Sequence, residues 1–250
     1  MTRSTDFRRV GLARALSKLG YCSRSRASAL IREGRVRLNG SPQRDPEAPV
    51  RSERDRIEVD GRAVQAQARV WLMLNKPRGV VTSASDEKGR ETVYGCLAAG
   101  LPWVAPVGRL DKASEGLLLL TNDSEWGAKI AAPETHLDKT YHVQIAGPAD
   151  AALTERLERG VRADGGEFLR GKRAKILREG QRNAWLVVVL DEGRNRHIRR
   201  MFEGLGIEVL RLVRVAIGPL LLGDLAKGAY RPLAAEEKRM LDEAMREDAR

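Results

Sequence analysis

The chain has 250 residues, 42% of them hydrophobic and 4% aromatic, with 45 Lys plus Arg against 34 Asp plus Glu, a net charge of +11. That apolar content supports a real core in one large domain or in two smaller ones, and excludes a disordered chain. The basic excess points to a polyanionic partner, nucleic acid first, and it is uneven: Met1 to Arg44 holds eleven basic residues and two acids, which argues for a dedicated binding module.

Other classes are set aside by what is missing. Cys22 and Cys96 lie far apart, so neither a disulfide framework nor a CxxC zinc site is expected, and a reducing compartment fits. His136, His142 and His197 lack ligand spacing, and no metal is expected. No stretch approaches the roughly 18 apolar residues of a membrane span, and the N-terminus lacks the apolar core of a signal peptide, so a cytoplasmic protein is expected.

In chain order, GLARALSKLG spaces Leu12, Leu16 and Leu19 as an apolar stripe and stops at Gly20, which predicts a short helix. Ser23 reads as the N-cap of a second helix, RSRASALIREG, with Ala27, Leu30 and Ile31 buried and Gly34 as terminator. Arg24, Arg26 and Arg32 fall mostly on its other side. VRLNG and IEVDG each end in a dipeptide that favours a tight hairpin turn, with a proline-containing loop between them. The pattern over residues 10–64 resembles the RNA-binding domain named after small-subunit ribosomal protein S4, at Leu16, Gly20, Ser23-Arg24, Ala27, Leu30-Ile31, Gly34, Val36, Asn39-Gly40 and Asp60-Gly61. The resemblance implies that Arg24, Arg26, Arg32, Arg35 and Arg37 face RNA phosphates, contacts that position a ligand without reading its sequence. By themselves these arginines read as a solvated face, as charge runs more often are.

Residues 62–69 read as a linker. From Val70 the pattern changes to β-rich runs, VWLMLNK before a Lys-Pro-Arg-Gly turn, then KTYHVQIAG, AWLVVVLDEG and VLRLVRVAIG, with helical stretches near 125–132, 149–160 and 196–205. A second domain over residues 70–233 is predicted, an α+β fold with a mixed, largely antiparallel sheet and flanking helices. Residues 234–250 read as a charged helix forming an exposed tail.

Within this domain, Gly108 to Asp123 reads GRLDKASEGLLLLTND. Leu117 to Leu120 are too few for a helix and too continuous for a half-exposed strand, which predicts a strand covered on both faces. Asp111 lies upstream in a turn bounded by Gly108 and Gly116, and Arg109 and Lys112 beside it favour the ionised carboxylate. Such a carboxylate can be a nucleophile, or it can simply hydrogen-bond its own turn.

Three segments, LNKPRGVVTS, the Gly108 to Asp123 run and DEGRNRHIRRMFEGLG, together resemble the RsuA-type family of bacterial rRNA pseudouridine synthases, whose members commonly carry the same N-terminal domain. The resemblance implies that Asp111 attacks the uridine nucleotide, so that the base detaches, rotates and rejoins the ribose through carbon five. Tyr141 would stack on the base, although alone it reads as a half-buried strand tyrosine. Arg199 would pair with Asp111. Arg194, Arg196 and Arg200 would contact backbone phosphates, Arg109 would hold the space vacated by the flipped nucleotide, and Lys76 and Arg78 would line the cleft. Ser114 stands where the family usually has threonine, and the hydroxyl is kept.

The isomerisation needs no cofactor, and neither a GxGxxG turn nor a GxxxxGK[ST] loop is present. An rRNA methyltransferase would need a glycine-rich turn that Lys76-Pro77-Arg78-Gly79 does not supply. A catalytically silent ribosome-associated factor is the other alternative, for which Asp111 would be unnecessary. The expected partner is ribosomal RNA, free or in an assembly intermediate, and the chain is expected to be a monomer. EGRNR followed by RRM looks more like members acting on large-subunit rRNA.

Overall fold

A computed structural model of the chain describes residues 9–51, 54–84, 86 and 88–247. Arg3, Asp6 and Arg8 of the basic N-terminal stretch, and residues 248–250 of the expected tail, lie outside the described residues. Two compact units are formed. One comprises Met1–Trp71, Ala98–Ala105 and Thr121–Ser124, and the other Leu72–Leu97, Pro106–Leu120 and Glu125–Arg250.

The first unit opens with β1 (Val10–Gly11), α1 (Leu12–Lys18) and α2 (Arg24–Arg32). Ser23 caps α2 as predicted, its hydroxyl accepting from the Arg26 amide at 3.1 Å. Four strands follow in antiparallel order β3-β2-β5-β6, namely β2 (Val36–Leu38), β3 (Ser41–Gln43), β5 (Ile57–Val59) and β6 (Arg62–Ala63), while β4 (Pro49–Val50) pairs with β1. Both hairpin turns use left-handed pairs, Asn39-Gly40 at φ 53° and 83° and Asp60-Gly61 at φ 50° and 75°, the conformation such dipeptides tolerate. Leu12, Leu16, Ala27, Ile31, Val36 and Val50 close the core with no exposed surface. The stretch expected as a linker is partly structured. It begins as β6, and the Gln67 amide donates to the Leu19 carbonyl at 3.0 Å. Asn122 holds its end, accepting from the Val70 amide and donating to the Ala68 carbonyl, each at 2.8 Å.

The largest sheet has nine strands, in the path β13-β14-β10-β15-β9-β7-β17, with β16 beside β15 and β8 beside β9. Its strands are β7 (Trp71–Lys76), β8 (Ala105–Val107), β9 (Glu115–Thr121), β10 (Lys139–Ala146), β13 (Arg173–Arg178), β14 (Asn183–Leu190), β15 (Val209–Ile217), β16 (Leu220–Leu221) and β17 (Tyr230–Pro232). Strands β9 and β15 run parallel, whereas the pairs β10–β14, β10–β15, β13–β14, β15–β16 and β7–β17 are antiparallel. The fold is therefore α+β with a mixed, largely antiparallel sheet. Every residue of β9 is buried, and Leu117 to Leu120 expose nothing, because both faces are covered.

Helices α3 (Ser124–Ala131), α4 (Ala151–Arg159) and α5 (His197–Glu203) lie near the stretches read as helical, and α4 is capped by the Asp150 carboxylate on the Leu153 amide at 2.8 Å. A short hairpin, β11 (Val161–Arg162) with β12 (Phe168–Leu169), follows α4. The C-terminal helix α6 (Ala235–Glu247) is not an exposed tail. Leu241 on it is wholly buried, and Asp242 accepts the indole N–H of Trp126 at 2.8 Å. Glu237 grips Arg231 through both carboxylate oxygens and caps the Ala234 amide. The charge pattern of α6 concealed one apolar position with a partner distant in sequence.

Candidate active site

The loop carrying Asp111 is held by its backbone. Five consecutive carbonyls each receive a donor: Leu110 from the Thr82 hydroxyl at 2.7 Å, Asp111 from Lys76 Nζ at 3.1 Å, Lys112 from the Gly79 amide at 2.8 Å, Ala113 from Arg199 Nη2 at 3.1 Å, and Ser114 from Lys76 Nζ at 2.8 Å. Lys76 ends β7, and Thr82 and Gly79 follow it, so the Lys-Pro-Arg-Gly turn is a cradle for the loop. With its backbone satisfied, the loop has one orientation, and the Asp111 side chain is left about 29% exposed. Among the described residues its ion-pair neighbour is Arg109, at 3.9 Å. After the loop, Gly116 at φ 101° passes so close to β15 that a Cβ would meet the Arg214 carbonyl oxygen at 2.2 Å.

The Asp111 carboxylate borders a cavity of about 410 Å3 lined also by Arg109, Tyr141, Lys139, Ile198, Leu212 and Arg214. That size lies within the roughly 300–1,000 Å3 of small-ligand sites. Tyr141 and Arg214 are directly opposed on β10 and β15 and share a face, and Lys139 is two residues from Tyr141 on the same strand. Ile198 and Leu212 supply apolar wall. Arg194 and Arg196 also border the cavity, Arg196 in left-handed backbone at φ 50° where α5 begins. Burial, with Arg214 nearby, pulls the Lys139 ammonium below its ordinary pKa.

Several side chains singled out in the sequence take other places. Lys76 does not line the cleft. It has no exposed surface, and burial brings its pKa down to about 8 against the opposing charge of Asp111. A residue next to a proline turn reads as exposed in sequence, but β7 carries it under the loop. Arg199 does not form the expected ion pair with Asp111. Its guanidinium donates to the carbonyls of Ala113 and Val209, and burial, then the nearby Arg196, pull it below the usual arginine value while Asp111 acts in the opposite sense. Arg78 is exposed, with one long contact of 3.4 Å to the Leu210 carbonyl. Arg194 and Arg200 both engage Glu167 of the β11–β12 hairpin, and Arg194 also bonds Glu192. In the first unit Arg24, Arg26, Arg32, Arg35 and Arg37 are all exposed, and among the described residues Arg35 alone of the five has an ion pair, with Asp60 at 2.6 Å and Glu33 at 3.3 Å.

Sequence reasoning passed over Lys139, Arg214 and Glu115. A cation inside an apolar strand such as VLRLVRVAIG was the available signal for Arg214. Glu115, 2% exposed, is gripped by Arg211 through both oxygens and by Lys227 at 2.6 Å, and the Arg211 hydrogen bonds foremost lower its pKa to about 2. Among the described residues, no group of three or more His, Cys, Asp or Glu is placed to hold a metal ion, and no helix is long and apolar enough to cross a membrane.

Comparison with known proteins agrees with this geometry. The RNA pseudouridylate synthase family matches residues 70–204, and the S4 domain matches residues 10–57. The chain is 38% identical over 232 residues to ribosomal large subunit pseudouridine synthase B of Bacillus subtilis (strain 168), covering 92% of this chain and 94% of that one. It is 36% identical to an uncharacterized RNA pseudouridine synthase of Aquifex aeolicus (strain VF5), covering 94% and 95% of the two chains. A crystal structure of a pseudouridylate synthase superposes with a TM-score of 0.65 at 31% identity, covering 93% of this chain and 99% of the other. The cavity beside a braced acidic loop, the sheet that bears it and these likenesses together show that the chain belongs to the RNA pseudouridylate synthase family and is an isomerase acting on RNA.

Proposed function

We propose that the chain converts one uridine of ribosomal RNA, in the large subunit, to pseudouridine, with Asp111 as nucleophile. The observation that carries this reading is the Asp111 loop itself, whose five braced carbonyls leave the carboxylate facing a cavity of about 410 Å3 beside Tyr141. A uridine in structured RNA reaches it only by leaving the stack. Arg109, at the mouth, has an exposed planar head suited to the vacated space. Tyr141 packs against the base while the Asp111 carboxylate attacks C1′, the bond from C1′ to N1 breaks, the ring turns, and C5 bonds to C1′ as the bond from Asp111 to C1′ breaks and frees the carboxylate. The C5 proton is lost and N1 gains one, so substrate and product are isomers and no group donor is consumed.

Arg199 acts as a positioning residue, fixing the Ala113 carbonyl two residues from the nucleophile. Residues 10–64 form the RNA-binding module, with Arg24, Arg26, Arg32 and Arg37 on phosphates, residues 70–233 are catalytic, and 234–250 add the terminal helix. Arg194, Arg196 and Arg200 meet the RNA backbone near the cavity. The substrate is naked rRNA or an assembly intermediate, met by a cytoplasmic monomer. Resemblance to the Bacillus subtilis large-subunit enzyme favours that subunit.

The test is a pseudouridine map of both rRNAs from cells lacking this protein, complemented with the natural chain or with Asp111→Asn. One site is expected to disappear and to return only with the natural chain, while the purified variant keeps its RNA affinity. An unchanged map, or restoration by the Asp111→Asn chain, overturns the reading, the former in favour of a silent RNA-binding factor.

A further inference from the structure

Arg214 is a buried cation bordering the cavity that the reaction above leaves unused. It is 6% exposed, and its Nε donates to the Leu117 carbonyl at 2.7 Å, which anchors the guanidinium to the fully buried strand β9. Its Nη2 is buried and has no hydrogen-bond partner among the described residues, nor has Arg214 an ion pair there. The side chain borders the same cavity as Asp111 and lies beside Tyr141 on the neighbouring strand, on the same face of the sheet. An arginine needed only to brace β9 would have its donors met within the protein. Leaving a charged donor desolvated and unpaired is unfavourable, and such groups persist where a ligand completes them.

On the reading that this cavity holds a uridine, we propose that Arg214 is a catalytic residue, whose Nη2 donates to a carbonyl oxygen of the uracil ring and stabilises the anion formed as the base departs. When the bond from C1′ to N1 breaks, its electron pair passes to the base and spreads over N1 and the two ring carbonyl oxygens. A fixed, buried guanidinium favours that charge more than the neutral ring of the ground state, which is what accelerates the step. The same contact holds the free base while it turns, and its hold relaxes when C5 bonds to C1′ and the ring becomes neutral again. Lys139, pulled below its ordinary pKa by burial and then by Arg214 while Asp138 and Asp191 act in the opposite sense, adds a second cation on the same face of the cavity.

The test compares leaving groups. Single-turnover cleavage of the N-glycosidic bond is measured for the natural chain, Arg214→Gln and Arg214→Lys on target RNA carrying uridine or 5-fluorouridine. Fluorine at C5 makes the departing base a weaker base that needs less help with its charge. Arg214→Gln is expected to lose about 10²- to 10³-fold on uridine RNA, as removal of a donor to developing charge does. The loss on 5-fluorouridine RNA should be at least about tenfold smaller, with RNA Kd unchanged within about threefold.

Arg214→Lys keeps the charge, and should lose less on uridine RNA with the same leaving-group dependence. If the glutamine variant does not fold, the lysine variant decides. Equal losses on both RNAs, a loss explained by weaker RNA binding, or full activity in the glutamine variant overturns the assignment. Failure of the underlying reading is seen separately, as a natural chain that leaves both RNAs intact.

Discussion

Replacing Lys76 by Met separates stability from activity. The ammonium has no exposed surface, and its pKa lies at about 8 instead of 10.5, a penalty for keeping it charged on the order of 3 kcal/mol. Methionine fills similar space and removes that penalty. It also deprives the Pro77 and Ser114 carbonyls of their donor, whereas the Asp111 carbonyl keeps the Ser114 amide at 2.9 Å. Two stranded carbonyls cost about 1–3 kcal/mol each, so the opposing contributions largely offset each other and unfolding free energy should change by no more than about 3 kcal/mol. The loop, however, loses its internal brace. Displacing the nucleophile by even about 1 Å lowers single-turnover pseudouridine formation about 10²-fold.

The assay pairs urea unfolding, followed by tryptophan fluorescence, with single-turnover kinetics on target RNA. A pH series adds a sign. Between pH 8 and 10.5 the unfolded lysine holds its proton and the folded one does not, so the natural chain gains stability with rising pH there and Lys76→Met lacks that gain. Turnover within about threefold of the natural chain, or identical pH profiles for the two proteins, would refute the reasoning.

Glu115, whose pKa is lowered to about 2 from 4.5 by Arg211 and Lys227, stabilises the fold above pH 4.5, and this contribution is lost as pH falls towards 2. Across that window the natural chain should lose roughly 3 kcal/mol more than Glu115→Gln; parallel acid-unfolding curves would count against it. Substituting Arg24, Arg26, Arg32 and Arg37 together by Gln should reduce the slope of log Kd for RNA against log salt by about 3, near 0.7–0.9 per phosphate contact. Arg35→Gln should barely move that slope, because Asp60 and Glu33 already neutralise it. Equal effects per residue would show that these ion pairs open on RNA.

Much of the architecture was legible because local chemistry dictated it. The Asn39-Gly40 and Asp60-Gly61 turns, the Ser23 cap and the buried run Leu117 to Leu120 are each fixed by neighbours in sequence, and each appears in the structure. Lys76, Arg199 and the terminal helix were misplaced for one common reason. Lys76 was expected to line the cleft, Arg199 to pair with Asp111 and the helix to be an exposed tail, and only the packing shows which distant group each of them meets. Arg199 finds the Ala113 carbonyl 86 residues away, and Trp126 finds Asp242 across 116 residues.

The order of residues alone determined that this is a basic, two-part α+β chain with one motif-bearing acidic turn, since composition, periodicity and turn chemistry are local properties. Which cations brace the Asp111 loop, which border its cavity and which are already paired was decided by the tertiary structure. Those roles depend on burial and on donors meeting acceptors from β7, β9, α5 and β15, and no local pattern encodes that meeting.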